Sequence, residues 1–319
     1  MTRTTLLLLL ALLALPGAAW AQTAVSCTAS MADLPFGSVN VLTGARFDTA
    51  AALTVQCAGG PTGAGHVARV CVSVGPGRAT SFPPRALFNG AAALRFELYP
   101  SSSGNTPLGS WSGGYGSAQG LTIDIPLAGG AGSAQRSIYA SILPGQKSAP
   151  TGSYLETFSD AATNLVYALD VGQTPCVGLM GRRANFSFSA SAQVAANCVI
   201  SASDLNFGVV TDLSRDLDAQ TAISVACSAG LVHSIGLDGG RMGAADPTQR
   251  QMTGGGSAMR YGLYHDAGRS RPWGASAQNS QAGVGTGAAQ TIPVYGRIPA
   301  GQKLAPGTYA DVVVVTVSY

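Results

Sequence analysis

Two stretches of this 319-residue chain carry the same landmarks in the same order, which constrains the fold more than any other feature. Cys27 to Gly37 (CTASMADLPFG) recurs as Cys198 to Gly208 (CVISASDLNFG). Cys57 follows the first cysteine by 30 residues, and Cys227 follows Cys198 by 29. Arg95 to Tyr99 (RFELY) answers Arg260 to Tyr264 (RYGLY), and Trp111 answers Trp273. The block Tyr139 to Lys147 (YASILPGQK), with Tyr154 after it, answers Tyr295 to Lys303 (YGRIPAGQK) and Tyr309. The distance from the first cysteine to the last tyrosine is shorter in the second copy, so the first carries extra loop residues.

Each copy reads as short β-strands. Thr221 to Cys227, Leu231 to Leu237, Met259 to Tyr264, Thr291 to Ile298 and Thr308 to Tyr319 are β-rich runs separated by Gly, Pro, Asn and Ser. No helical period of useful length interrupts them. The expected fold is all-β, two immunoglobulin-like Greek-key sandwiches, the second lacking its last strand. Charged residues make up 10% and the formal charge is only +3, which gives no basic field for nucleic acid or anionic lipid.

Arg3, the apolar run Leu6 to Leu15 and the small residues up to Ala21 form the pattern of a secretory signal, cut after Ala21. The apolar run falls short of the roughly 20 residues needed to span a bilayer, and no later stretch reaches that length, so no membrane span is expected. The expected domains are residues 22–195 and 196–319. Export favours disulfides among Cys27, Cys57, Cys71, Cys176, Cys198 and Cys227. Matching positions in the two copies, at spacings of 30 and 29, would join Cys27 to Cys57 and Cys198 to Cys227, leaving Cys71 with Cys176. No CxxC or HxxxH spacing suggests metal. His66, His233 and His265 sit in no catalytic motif; His265 and Asp266 are adjacent on a strand and point to opposite faces. We therefore expect no enzyme, no cofactor and no metal site.

The second copy resembles the spore coat protein U domain, through its CxxxxxxLxFG opening, Met259 to Tyr264, Trp273-Gly274, VYGRIPAGQ and a GxYxDxVxVTVxY ending. The first copy is a diverged relative in which Trp111-Ser112 stands for Trp-Gly and the last strand is interrupted. The resemblance implies a subunit of an archaic chaperone-usher pilus; two-domain members resemble its tip adhesins. Its partners would be a periplasmic chaperone, an outer-membrane usher and the adjacent pilin, and its place the pilus tip at the cell surface. The same family also implies a structural coat protein assembled by strand exchange. An extracellular carbohydrate-binding module is a third possibility.

The second copy reaches Tyr319 directly after the valine run, so its sheet is expected to lack a closing strand. Val312, Val313, Val314, Val315 and Val317 are the expected edge of a groove that takes a strand from a neighbour. In the first copy, Asn185 to Val194 (NFSFSASAQV) alternates with period two and is expected to close that domain in cis. Gln22 to Ser26 is too short to serve as a donor strand, which points to an accepting subunit at the tip. An adhesive loop is expected at Phe82, Pro83, Pro84, Leu87 and Phe88, touching an abiotic hydrophobic surface or a host receptor.

Overall fold

A computed structural model describes residues 24–79, 83–111 and 119–319 of the chain. The signal segment 1–21 and Phe82 lie outside them. In the first domain the strands are β1 (Ser26–Met31), β2 (Leu34–Val39), β3 (Phe47–Ala58), β4 (Val67–Val74), β5 (Arg85–Asn89) and β6 (Ala92–Tyr99). They continue as β7 (Leu121–Pro126), β8 (Gly132–Ile142), β9 (Gly152–Phe158), β10 (Thr163–Leu169), β11 (Arg182–Asn185) and β12 (Phe188–Val194). The second domain has β13 (Cys198–Ala202), β14 (Leu217–Cys227), β15 (Val232–Leu237), β16 (Arg250–Gly254), β17 (Ser257–Tyr264), β18 (Gln281–Val284), β19 (Gln290–Ile298) and β20 (Val315–Ser318).

The first domain layers an eight-stranded sheet, β1-β3-β8-β6-β5-β9-β12-β2, on a four-stranded one, β11-β10-β4-β7. The second has a five-stranded sheet, β13-β14-β19-β17-β16, and a three-stranded one, β18-β15-β20. The pairings repeat strand for strand. β1 on β3, β3 on β8, β8 on β6, β6 on β5, β10 on β4 and β4 on β7 are matched by β13 on β14, β14 on β19, β19 on β17, β17 on β16, β20 on β15 and β15 on β18. Even the single bridge Phe88–Leu155 between β5 and β9 has a counterpart in Thr253–Ala310.

Three disulfides join Cys27 to Cys57, Cys71 to Cys176 and Cys198 to Cys227. The first and third link directly opposed residues of β1 and β3 and of β13 and β14. Each domain also has a tyrosine tied back to the main chain just upstream, a device of immunoglobulin-like sandwiches. Tyr154 Oη donates to Pro150 O at 2.8 Å, and Tyr309 Oη to Ala305 O at 2.7 Å.

A buried arginine holds each domain at the same place. Arg85 Nη2 donates to Val74 O (2.6 Å) and Leu108 O (2.7 Å), and Nε to Gly75 O (2.9 Å). Arg250 Nη2 donates to Leu237 O (3.0 Å) and Trp273 O (2.8 Å), and Nε to Asp238 O (2.7 Å). Buried carbonyls between strand ends need donors, and one guanidinium supplies several from a rigid fork. This contact corrects the sequence alignment: the counterpart of Trp273 is Leu108, not Trp111. Leu108 N donates to Leu98 O as Trp273 N does to Leu263 O. Trp111 lies three residues further on and is half-buried, its Nε1 donating to Leu121 O.

Candidate functional site

The two domains part company along one edge. In the first, β12 is hydrogen-bonded on both sides, antiparallel to β9 and parallel to β2. Phe188, Ala190, Ala192 and Val194 of β12, and Phe186 just before it, are all buried in the core. Phe188 stacks on Phe158, with ring centroids 4.8 Å apart, and Phe158 meets Phe96 edge-on. Phe96 in turn meets Phe36 edge-on. The strand is thus an inner member of the sheet, not its margin.

In the second domain, residues 205–210 take the place of β2 and residues 307–313 that of β9, by the repeated landmarks and the Thr253–Ala310 bridge. Neither segment forms a strand, and among the described residues no strand lies between them. The aromatic contact behind the gap persists: Phe207 meets Tyr261 edge-on at 6.4 Å, as Phe36 meets Phe96. Val313 stands where Phe158 stands, without a ring. The core beneath is smaller, and Ile200, Leu205, Phe207, Leu213, Met259, Val313, Val315 and Val317 are only half-covered at its margin. A groove between two segments that form no strand, apolar at its floor, has the form of a strand-accepting site.

Polar contacts fix one wall of the groove. Asp238 Oδ1 accepts from Val314 N at 2.9 Å, and Asp238 N donates to Val314 O at 3.1 Å. Asp311 Oδ2 accepts from Tyr261 Oη at 2.7 Å, and its Oδ1 accepts from the backbone N–H groups of Arg241 and Val312. Burial and the neighbouring Asp311 carboxylate push the Tyr261 phenol far above its ordinary range. Burial lowers the Arg250 guanidinium, against the pull of surrounding acidic groups. Tyr261 therefore keeps its proton at neutral pH, and these contacts brace the approach to the last strand.

Several expected site residues need correction. Val313, Val315 and Val317 face the core, whereas Val312 and Val314 point outward, 51 and 55% exposed. Strand alternation leaves only the odd-numbered three to line the groove. Leu87 is not on a loop: it lies in β5 opposite Leu94 and is completely buried. Phe88 is half-buried, with the Arg78 guanidinium 4.6 Å from its ring centroid. Pro83 is exposed and Pro84 half-buried. The expected adhesive loop is reduced to its N-terminal part.

The histidines do separate structural work. His66 Nδ1 lies 2.6 Å from Asp170 Oδ2, His233 is buried, and His265 stacks on Trp273 with Nε2 donating to Asn279 O at 3.0 Å. Asp266 is engaged instead by the N–H groups of Ser270 and Arg271. The buried arginines were missed at the sequence level, although Arg85 and Arg250 each stand ten residues before Arg95 and Arg260, a spacing visible in the repeat.

Comparison with known proteins places these observations. Protein U of Myxococcus xanthus is 33% identical over 127 residues, covering 36% of this chain and 71% of that protein. A chain in the crystal structure of the chaperone–tip adhesion subunit pre-assembly complex of the archaic chaperone-usher Csu pili of Acinetobacter baumannii has the same fold. It is 17% identical, with a TM-score of 0.53, covering 92% of this chain and all of that one. A tip adhesin of Pseudomonas aeruginosa superposes with a TM-score of 0.40 at 12% identity, covering 93% of this chain and 94% of that one. The spore coat protein U domain profile matches residues 13–159 and 184–316. Its second match opens ahead of β12, which nonetheless folds into the first domain, so sequence repeat and folded unit are offset by one strand. Matched in both copies, the chain belongs to the spore coat protein U domain family.

Proposed function

We propose that the protein is the tip adhesin subunit of an archaic chaperone-usher pilus, exported through the periplasm, with its second domain accepting a strand from the next pilin and its first domain contacting the surface to be colonised. One observation carries this reading: the position filled by β12 in the first domain is unfilled in the second, while the strands β1-β3-β8-β6-β5 and β10-β4-β7 correspond pair for pair to those of the second domain. The strand at the head of the second family repeat is consumed in cis, so the described residues offer an acceptor and no free donor. A periplasmic chaperone covers the groove before assembly at the usher, and the adjacent pilin then replaces it. Within the adhesive loop the exposed Pro83, preceded in sequence by Phe82, is the candidate contact for a hydrophobic surface or receptor, and attachment through it serves biofilm formation.

The test is to append a strand copied from Asn185–Val194 after Tyr319 through a flexible linker. The extended protein should be a soluble monomer with a higher melting temperature in its second domain. The unextended protein should aggregate, or co-purify one-to-one with its chaperone. A second domain that is already monomeric and unfolds cooperatively without the extension defeats the reading. The likeness to Protein U favours a second reading, a coat protein assembled by the same strand exchange; multimers formed without an usher would select it.

A further inference from the structure

In the first domain the outer face of β4 is covered, while Thr122 and Asp124 of β7 beside it stay exposed. Arg69, Cys71 and Ser73 of β4 alternate with the core residues Val70, Val72 and Val74 and so face away from the core, yet they are only 7, 1 and 3% exposed. Trp111 N donates to Ser73 Oγ, and the chain leading into the closing strand covers Arg69 and Cys71. Cys176 is bonded to Cys71, its sulfur lies 3.2 Å from Thr122 Oγ1, and Thr174 O accepts from Arg69 Nη1. Arg69 also makes a two-pronged ion pair with Asp124, directly opposite it on β7. By register, Val232 and Val284 hold the same two positions in the second domain, again directly opposite each other. They are 70 and 53% exposed. Ser234 and Ala282, the next pair on that face, carry no charge. Single exposed apolar side chains need no explanation. A cross-strand apolar pair whose β15 member is bare where its homologue Arg69 is covered marks a contact surface.

On the reading that the second domain accepts a strand from another chain, we propose that the contact extends past the groove: residues preceding the inserted strand in the incoming chain lie over Val232 and against Val284, as residues 174–176 lie over Arg69 and Cys71 in the first domain. The chain path supports this occupant. β11 pairs with β10 of the small sheet before β12 crosses to β9 and β2, so the lead into the strand emerges on the small-sheet side. The covering segment is extended and uncharged, since a charge laid over two valines is desolvated without a counter-ion.

Two peptides copied from the chain test it: Arg182–Val194, the strand alone, and Thr174–Val194 carrying Cys176→Ser, the strand with its lead. Binding to the full chain is followed by fluorescence anisotropy for the wild type and for the V232D/V284S double variant. That variant removes the apolar pair and sets a carboxylate where the lead would bring the Thr174 carbonyl, which in the first domain meets a donor on Arg69. The longer peptide should bind the wild type about tenfold tighter than the shorter one, and the double variant should lose that gain while binding the shorter peptide unchanged. A longer peptide that binds no tighter, or a gain that survives the double variant, overturns the proposal. Binding of neither peptide to the wild type removes strand acceptance itself and this contact with it. A wild-type dimer abolished by V232D/V284S assigns the face to a second copy and likewise overturns it.

Discussion

The first domain holds Phe188 against Phe158 in a closed sheet, while the second leaves Val313 half-covered beside Tyr261 at the edge of an open one. Because the two share the order of their remaining strands, cross-strand disulfide, tyrosine tie and buried arginine, the difference shows what the closing edge of β2, β12 and β9 contributes. With it, the apolar side chains along that edge are buried; without it, their counterparts stay at the margin and two segments form no strand. Each large apolar side chain that the closing edge buries fully contributes about 1.5–3 kcal/mol to the first domain.

The comparison breaks most directly at Phe188. Phe188→Ala should destabilise the first domain by about 3–5 kcal/mol and leave the second unchanged, as read by denaturant unfolding with domain-specific probes. A loss shared by both domains would mean that β12 is not specific to one. Next come the paired arginines. Arg250→Ala should cost about 2–4 kcal/mol by leaving several carbonyls unsatisfied. Arg85→Ala should cost more, about 3–5 kcal/mol, because it also strands the buried Glu97, whose counterpart is Gly262. Equal losses would show that the ion pair adds nothing.

A gain of function sharpens the comparison further. Val313→Phe restores the ring present at Phe158, so the second domain should bind the Arg182–Val194 peptide more tightly by about 0.5–1.5 kcal/mol, the worth of an aromatic pair. No change in anisotropy titrations would show that Phe188 does not seat there. The smallest effect is pH-dependent. Burial pushes the Glu97 carboxyl above its ordinary 4.5, despite Arg85. Such a group favours the folded state fully below its ordinary value, and the benefit is lost as pH rises through its raised folded value. The stability of the wild type relative to Glu97→Gln should therefore improve as pH falls toward 4.5, measured by urea unfolding. A difference that stays flat or moves the other way contradicts the burial account.

Much of this was readable from residues alone, and the exceptions have identifiable causes. The alternation in Asn185–Val194 names the side chains that end up buried, because period two is intrinsic to a strand. The valine run reads equally well as a strand, but its phase does not: Asp311, tied to Tyr261 and to two backbone N–H groups, sets which valines face inward, and a slip of one residue exchanges them. Leu87 was misplaced because an apolar residue near Pro83-Pro84 looks alike in a loop and in a strand until Leu94 is found opposite it. Matching Trp111 to Trp273 failed for a related reason. Side-chain identity suggested the pairing, whereas the backbone carbonyl that receives the arginine belongs to Leu108.

The repeat, the strand periods and the cysteine spacing by themselves determined a pair of related β-sandwiches, since these follow from local backbone geometry and from the order of apolar residues. Only the tertiary structure decided that β12 runs between β2 and β9, that two arginines bind carbonyls from separate loops, and that Val232 is bare where Arg69 is covered. Those facts depend on which distant segments meet, and a residue's own neighbours along the chain do not encode the surface it will face.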